Sequence, residues 1–228
     1  MSASKSKTLT RIFIAFFLLV LISTSAFSAN EDSVIMKNEQ ISVPSFILME
    51  DNPQLEAINQ TLYEAAYRLY DTYSIAPTKT RAEHWDVMEY ITQATVTYET
   101  ETSVSVKMEE YLYPYHGAHG NHLFIGLTFN KETGLELALK DIFIEGSNFK
   151  ERLDRYMKKE IKEREIPIFD FTEFKGIQAG QEFYLTEDEL IILYQEYEYT
   201  PYAYGVLTFE IPFSYLDGYL IETIPLQD

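Results

Sequence analysis

The chain has 228 residues, 46% hydrophobic and 15% aromatic, which is enough apolar surface for one large domain or two small ones with a packed core. That content excludes an intrinsically disordered chain, and 18 Tyr with 15 Phe point to β-structure. A formal charge of −18 argues against nucleic acid and anionic lipid as partners, because both are recognised through basic patches.

Lys5, Lys7 and Arg11 form a basic stretch ahead of the apolar run Ile12 to Ile22. STSAFSAN follows, with Ala26 and Ser28 as small residues at the −3 and −1 positions of a cut after Ser28. This is the layout of a secretory signal peptide over residues 1–28. The apolar run is shorter than the roughly 20 residues that a spanning helix needs; retention as an uncleaved anchor is the alternative. Cleavage removes three basic residues and no acidic one, leaving 15 against 36 and a net charge of −21. No stable membrane span is then expected, as no other stretch is apolar enough. The chain has no cysteine, so it is expected to fold without disulfides and to carry no lipid-bearing cysteine. The expected setting is bacterial and extracytoplasmic, either secreted or periplasmic.

ISVPSFILME reads as a first strand, with Pro44 inside or beside it. DNPQLEAINQTLYEAAYRLYDTY then places Leu55, Ile58, Leu62, Ala66 and Leu69 at helical spacing. Asp51 or Asn52 is its N-cap and Pro53 its first helical residue. From Trp85 the period changes to two. Val87 to Glu99 and Val104 to Tyr113 read as antiparallel strands joined near Glu101 and Thr102. Leu123, Ile125, Leu127 and Phe129 alternate next, NKETG turns the chain with Gly134 at a positive-φ position, and Leu135, Leu137 and Leu139 alternate back. SNFKERLDRYMKKEIKERE is a second helix, capped by Ser147, with Phe149, Leu153, Met157 and Ile161 on one stripe. EFYLTEDELIILYQEY looks like a hairpin. AYGVLTFEIPF looks like a last strand, closed by a turn or short helix at Tyr215. The order predicts an α+β fold, an antiparallel sheet with two main helices, in two small subdomains.

Two stretches together carry a resemblance. One is HGAHGNHLFIGLTFNKETGLELALKDIF; the other is EFYLTEDELIILYQEYEYTPYAYGVLTFEIPFSYL. Their Gly-Ala-His-Gly loop, Phe-Tyr-Leu-Thr start and Ile-Pro-x-x-x-Leu close resemble the extracytoplasmic domain family of RsiV, the anti-sigma factor that senses lysozyme. The likeness covers about 108–220, and a looser likeness to the PdaC N-terminal domain covers about 34–107. It implies an envelope-facing binding domain. Eleven residues precede the apolar run, too few for a sigma-factor-binding segment, and no deacetylase module follows the pair. The expectation is the sensor-like pair alone.

Residues 113–122, YPYHGAHGNH, place His116, His119 and His122 three apart. Zinc needs side chains converging within about 2.1 Å of one point, and an extended chain would turn His119 away from the other two. No HExxH or partner carboxylate at a recognised spacing accompanies them. The alternative is structural: Gly117 and Gly120 let the backbone turn tightly, and His119 bonds exposed backbone groups. Within the family pattern only His119 and Gly120 recur, so Gly117, His119 and Gly120 are expected to be loop scaffold, with no metal and no cofactor. Catalytic motifs built on a Gly-x-Ser-x-Gly elbow, a P-loop or a thiol are missing, and no carboxylate pair stands out by spacing, so no catalytic residue is assigned.

YQEYEYTPYAY, residues 194–204, sets tyrosines around two acids. Tyrosine offers large, rigid contact area with a polar tip, and it is also a strong strand former. Tyr194, Glu196, Tyr197, Glu198, Tyr199 and Tyr202 are therefore candidate binding residues, with packing on the sheet as the other reading. The function expected is a binding module, not an enzyme, for a cationic protein such as a lysozyme, and not for nucleic acid. A cell-wall glycan hydrolase or a metal-dependent enzyme using the His loop is the alternative.

Export with cleavage after Ser28 predicts that intact-mass measurement of the exported protein finds a chain starting near Ala29. A mass that retains the apolar run would identify that run as an anchor.

Overall fold

In the computed structural model, which describes residues 38–43, 52–75, 87–115, 117–169, 174–222 and 224, the first helix opens at Asn52. Its side-chain oxygen accepts the amides of Gln54 and Leu55, both at 3.1 Å, and Pro53 fills a position that needs no donor. The leader expected at 1–28, residues 44–50 of the first expected strand, and His116 lie outside the described residues. The helical pattern expected to run on past Leu69 is split into α1 (Pro53–Ala65) and α2 (Arg68–Ile75). The cause lies at Ala66, whose carbonyl accepts the hydroxyls of Tyr90 and Thr92, each at 2.8 Å. Two sheet hydroxyls thus take a carbonyl that a continuous helix would have bonded to itself.

The first sheet has the order β1-β2-β3-β4, with β1 Glu39–Ser42, β2 Val87–Glu99, β3 Ser103–Pro114 and β4 Asn121–Asn130. β2, β3 and β4 form the antiparallel meander that the alternation predicted. β1 departs from it and lies parallel to β2, since the crossover through α1 and α2 returns the chain to the same end of the sheet. The second sheet, β5 (Phe183–Leu185), β6 (Glu189–Tyr194) and β7 (Leu207–Pro212), is antiparallel throughout. Residues 107 and 108 are consecutive in β3, so the first sheet runs through the expected division between subdomains.

Two cores result. Ile58, Leu62 and Ala66 of the helical segment pack on Val104, Val106, Met108, Ile125 and Leu127. Leu153, Met157 and Ile161 of α3 (Phe149–Glu163) pack on Leu190, Ile192, Phe209 and Ile211 of the second sheet. The stripe expected for α3 is present, but its cap is not: Asn148, not Ser147, precedes the first turn, and the Ser147 hydroxyl is buried without a partner. The expected return strand through Leu135, Leu137 and Leu139 is also absent. Only Phe129 and Glu136 form a bridge, Leu135 is 66% exposed, and Leu139 starts a 3-10 turn opened by the Asp141 carboxylate, which accepts the Ala138 amide. Leu139 and Leu137 pack into the second core from a turn instead, and Leu135 has no face to bury against.

The layers meet where β5 crosses β4, β3 and β2 on the face opposite α1. The crossing falls on small residues. The Leu185 amide donates to the Ser105 hydroxyl at 2.9 Å, which bonds the Thr128 hydroxyl at 2.8 Å. A Cβ on Gly126 would stand 1.9 Å from the Phe183 carbonyl oxygen. Gly126→Ala is therefore expected to destabilise by about 3 kcal/mol or more, because the obstacle is backbone and cannot rotate away. Urea unfolding of the variant checks this, and an unchanged midpoint would contradict the crossing.

Candidate functional site

Above that crossing, the face of the first sheet opposite α1 carries the odd residues of β3 and the even residues of β4. Register sets Tyr111 across from His122 and Glu109 across from Phe124. The rings form a ladder. His122 lies 4.9 Å from Tyr111 and 5.9 Å from Phe124, with its Nδ1 3.1 Å from a Glu109 carboxylate oxygen. The Lys107 ammonium sits 6.0 Å above the Phe124 ring.

The β6–β7 connection is fastened to this face by Gln195. Its side-chain amide donates to the Phe124 carbonyl at 2.7 Å, and its side-chain oxygen accepts the Phe124 amide at 3.0 Å. The chain then turns over Gln195–Glu198, closed by the Glu198 amide donating to the Gln195 carbonyl. Tyr197, third in that turn, has φ 64°, a left-handed conformation that bulky residues adopt only under constraint. Glycine is the residue such a turn prefers. Tyr197 is nonetheless 56% exposed and stacks on Tyr202 at 5.6 Å, which in turn stacks on His119 at 4.4 Å. The His119 Nδ1 donates to the Gly120 carbonyl at 2.7 Å, a direction fixed because a carbonyl only accepts.

Gly117 and Gly120 are required by close approach rather than by a positive φ. A Cβ at Gly120 would fall 2.0 Å from the Tyr111 ring, and one at Gly117 would fall 2.6 Å from the Pro114 ring. The loop can therefore lie flat on the β3 aromatics, which brings His119 under Tyr202.

The six candidate binding residues divide. Tyr194 is buried, and Tyr199 packs with it and with Phe174 in the second core. Glu198 accepts the Gln195 amide at 3.0 Å and braces the turn. Burial pushes its carboxyl up, an effect the same hydrogen bond opposes. Tyr197, Tyr202 and Glu196 face the ladder. Burial raises the Glu196 carboxyl, His122 and His119 pull it back, and Glu109 pushes it further up. Glu109, Tyr111 and Phe124 escaped the sequence reading. Their signal was the polar and aromatic side of the β3 alternation, and only the register with β4 shows that this side meets the tyrosine turn.

Among the described residues, no three His, Asp or Glu side chains gather as a metal site. A groove of about 400 Å³ beside β4 is lined in part by Glu136, Glu182, Gln178 and Phe149. Arg68 holds both carboxylates, at 4.0 and 3.9 Å, and Glu182 also accepts the Gly126 amide at 3.0 Å. Burial raises both carboxyls in the same direction. A glycosidase pair needs one carboxyl held neutral and the other charged; here only the Gly126 amide, which favours the Glu182 ion, distinguishes the two, while burial and Arg68 act on both alike.

Among the described residues, no helix is long and apolar enough to cross a membrane. A curated relative, the anti-sigma-V factor RsiV of Bacillus subtilis (strain 168), is 33% identical over 104 residues. The match takes in 42% of this chain and 36% of RsiV, so the chain spans little more than a third of that protein's length. A DUF3298 family protein from Pseudomonas aeruginosa PAO1 superposes with a TM-score of 0.59 at 17% identity, over 92% of this chain and 94% of that one. A DUF3298 family member from Bacteroides fragilis also gives 0.59, at 18% identity, over 81% and 85%. At such identities these two structures establish the fold alone. Residues 140–214, from the 3-10 turn after β4 to the end of β7, match the family described as "Protein of unknown function (DUF3298)", and with the RsiV likeness they mark a DUF3298/RsiV-like domain in this chain.

Proposed function

We propose that this chain is an extracytoplasmic binding module that takes a cationic protein on the surface formed by Tyr197, Tyr202, His119 and the Tyr111 ladder, beside Glu196 and Glu109. A lysozyme-like protein is the first candidate, on the resemblance to a lysozyme-sensing domain. One observation carries the reading: Tyr197 is held in a left-handed turn and left more than half exposed. A local strain of about 1 kcal/mol is borne by a ring whose packing is a stack on Tyr202, and interfaces draw their anchors from such exposed aromatics. The −18 charge and the acids beside the rings favour a basic partner over a neutral glycan.

Calorimetry against a c-type lysozyme is expected to show binding at low salt. The affinity should weaken as the Debye length falls from about 10 Å at 0.1 M to about 3 Å at 1 M. No heat at low salt, with lysozyme or other basic envelope proteins, would reject the reading.

Tyr197→Gly separates strain from contact. Relief of the left-handed strain offsets the lost ring stacking, so stability should move by less than about 1 kcal/mol. Tyr197→Ala keeps the strain, loses the ring and should be the less stable of the two. Both should weaken lysozyme binding by about 2 kcal/mol, measured in the same titration. Of the histidines, His119→Ala should lower stability by about 1–2 kcal/mol through its carbonyl bond and stack. His122→Ala, which breaks a partly exposed pair with Glu109, should lower it by less than about 1 kcal/mol. Chemical denaturation ranks the two.

A further inference from the structure

The binding surface makes no use of a buried carboxyl in β3 that leaves one of its oxygens without a partner. Glu110 is fully buried in β3, on the α1 side of the first sheet. One of its oxygens, Oε2, accepts the Leu69 amide at 2.9 Å and meets the Tyr90 hydroxyl; Oε1 is buried with no partner. Leu69 lies in the first turn of α2, so this side chain fastens α2 to the sheet. Tyr90 has one proton and two acceptors in reach, Glu110 and the Ala66 carbonyl at 2.8 Å. An ionised Glu110 would claim that proton while leaving Oε1 as a buried, unpaired charge, the arrangement that burial penalises most. A protonated Glu110 donates to Tyr90, Tyr90 donates to Ala66, and every hydrogen is used once.

We propose that Glu110 is a proton-held latch: its neutral carboxyl pins the start of α2 to β3, and loss of that proton releases α2 from the sheet. The groups around it bias the latch without replacing it. Burial holds the proton on; the hydrogen bonds with Tyr90 and the Leu69 amide, and then Arg68 on α2, favour the ion, Asp71 on α2 disfavours it, and burial outweighs the groups that oppose it. Around the Tyr90 hydroxyl, Thr92 is the hydroxyl neighbour on β2. Tyr67, stacked on Tyr90 at 6.0 Å, and Tyr70 stay protonated, because burial and Glu39 of β1 raise both phenols. Release also has a reach beyond the corner. Arg68 is the cation that holds Glu136 and Glu182, so freeing α2 leaves that carboxylate pair facing the groove without it.

The sign follows from the raised carboxyl. A group that holds its proton more tightly folded than unfolded contributes its stability below the unfolded value, and loses it as pH rises through the folded one. Docking of α2 should therefore be firm in acid and weaken with alkali. The Leu69 amide is a direct reporter. In a ¹⁵N titration of the whole chain, its shift should move with a midpoint above the ordinary carboxylate range. Exchange protection of α2 amides, corrected for intrinsic rates, should fall about tenfold for each pH unit between the unfolded and folded values. In Glu110→Gln, whose amide stays neutral, both responses should vanish while α2 stays protected at high pH. A Leu69 midpoint in the ordinary carboxylate range, or protection that falls equally in wild type and Glu110→Gln, would overturn the latch. The wild-type titration decides the matter even if the variant does not fold.

Discussion

The fold depends on one close approach, the backbone of β5 lying against Gly126. Strand spacing within a sheet is fixed by hydrogen bonds, but the distance between two crossing layers is fixed by side chains, and about 10 Å is usual. Here Gly126, Ser105 and Thr128 reduce the intervening side chains to a hydrogen atom and two hydroxyls, and Ser105 bonds the β5 amide directly. That contact decides where the β6–β7 connection falls. With β5 pinned over β4, Gln195 reaches the Phe124 backbone and the tyrosine turn lands on the His119 loop. A bulkier crossing would lift the second sheet and separate the two halves of the aromatic surface.

The sequence made the strands legible wherever one face of a strand met a core. Val104, Val106 and Met108 alternate with polar residues because α1 covers one side only, and the bounds of β2 and β3 follow from that pattern. It misled where alternation had no partner, as at Leu135. It also misled where a tertiary donor overrode local preference, as at Ala66, whose neighbours are good helix formers. Neither competitor is local. The hydroxyls that break the helix come from residues 24 and 26 positions further along. The parallel placement of β1 was likewise set by its crossover and not by its own residues.

The tyrosine run shows the same limit at the level of the site. Tyr194, Tyr197, Tyr199 and Tyr202 look equivalent on composition, yet two are core and two are surface. Period two would have sent Tyr194 and Glu196 to one face and Tyr197 and Tyr199 to the other. The turn at Gln195–Glu198 resets the phase, and the left-handed Tyr197 departs from both faces. Chain geometry that glycine would have adopted freely carries the largest exposed ring in the segment. This is the kind of local disagreement between residue and backbone that natural proteins retain at functional positions.

The edges of the sheets bear on how such a surface can work. A free edge invites an extended peptide to add as a further strand. On β4 the outward Phe124 and Gly126 groups are occupied by Gln195 and Glu182. On β7, the Thr208 and Glu210 carbonyls accept from Arg164 at 3.3 Å and Tyr156 at 2.8 Å, both on or next to α3. Side chains therefore cap these two edges in the isolated chain. Strand addition at either would first have to break charge-assisted or amide bonds already made. Recognition through rings and carboxylates on the sheet face requires no such exchange, because those groups are already presented. The proposed mode of binding therefore asks nothing of the bonds that cap the β4 and β7 edges.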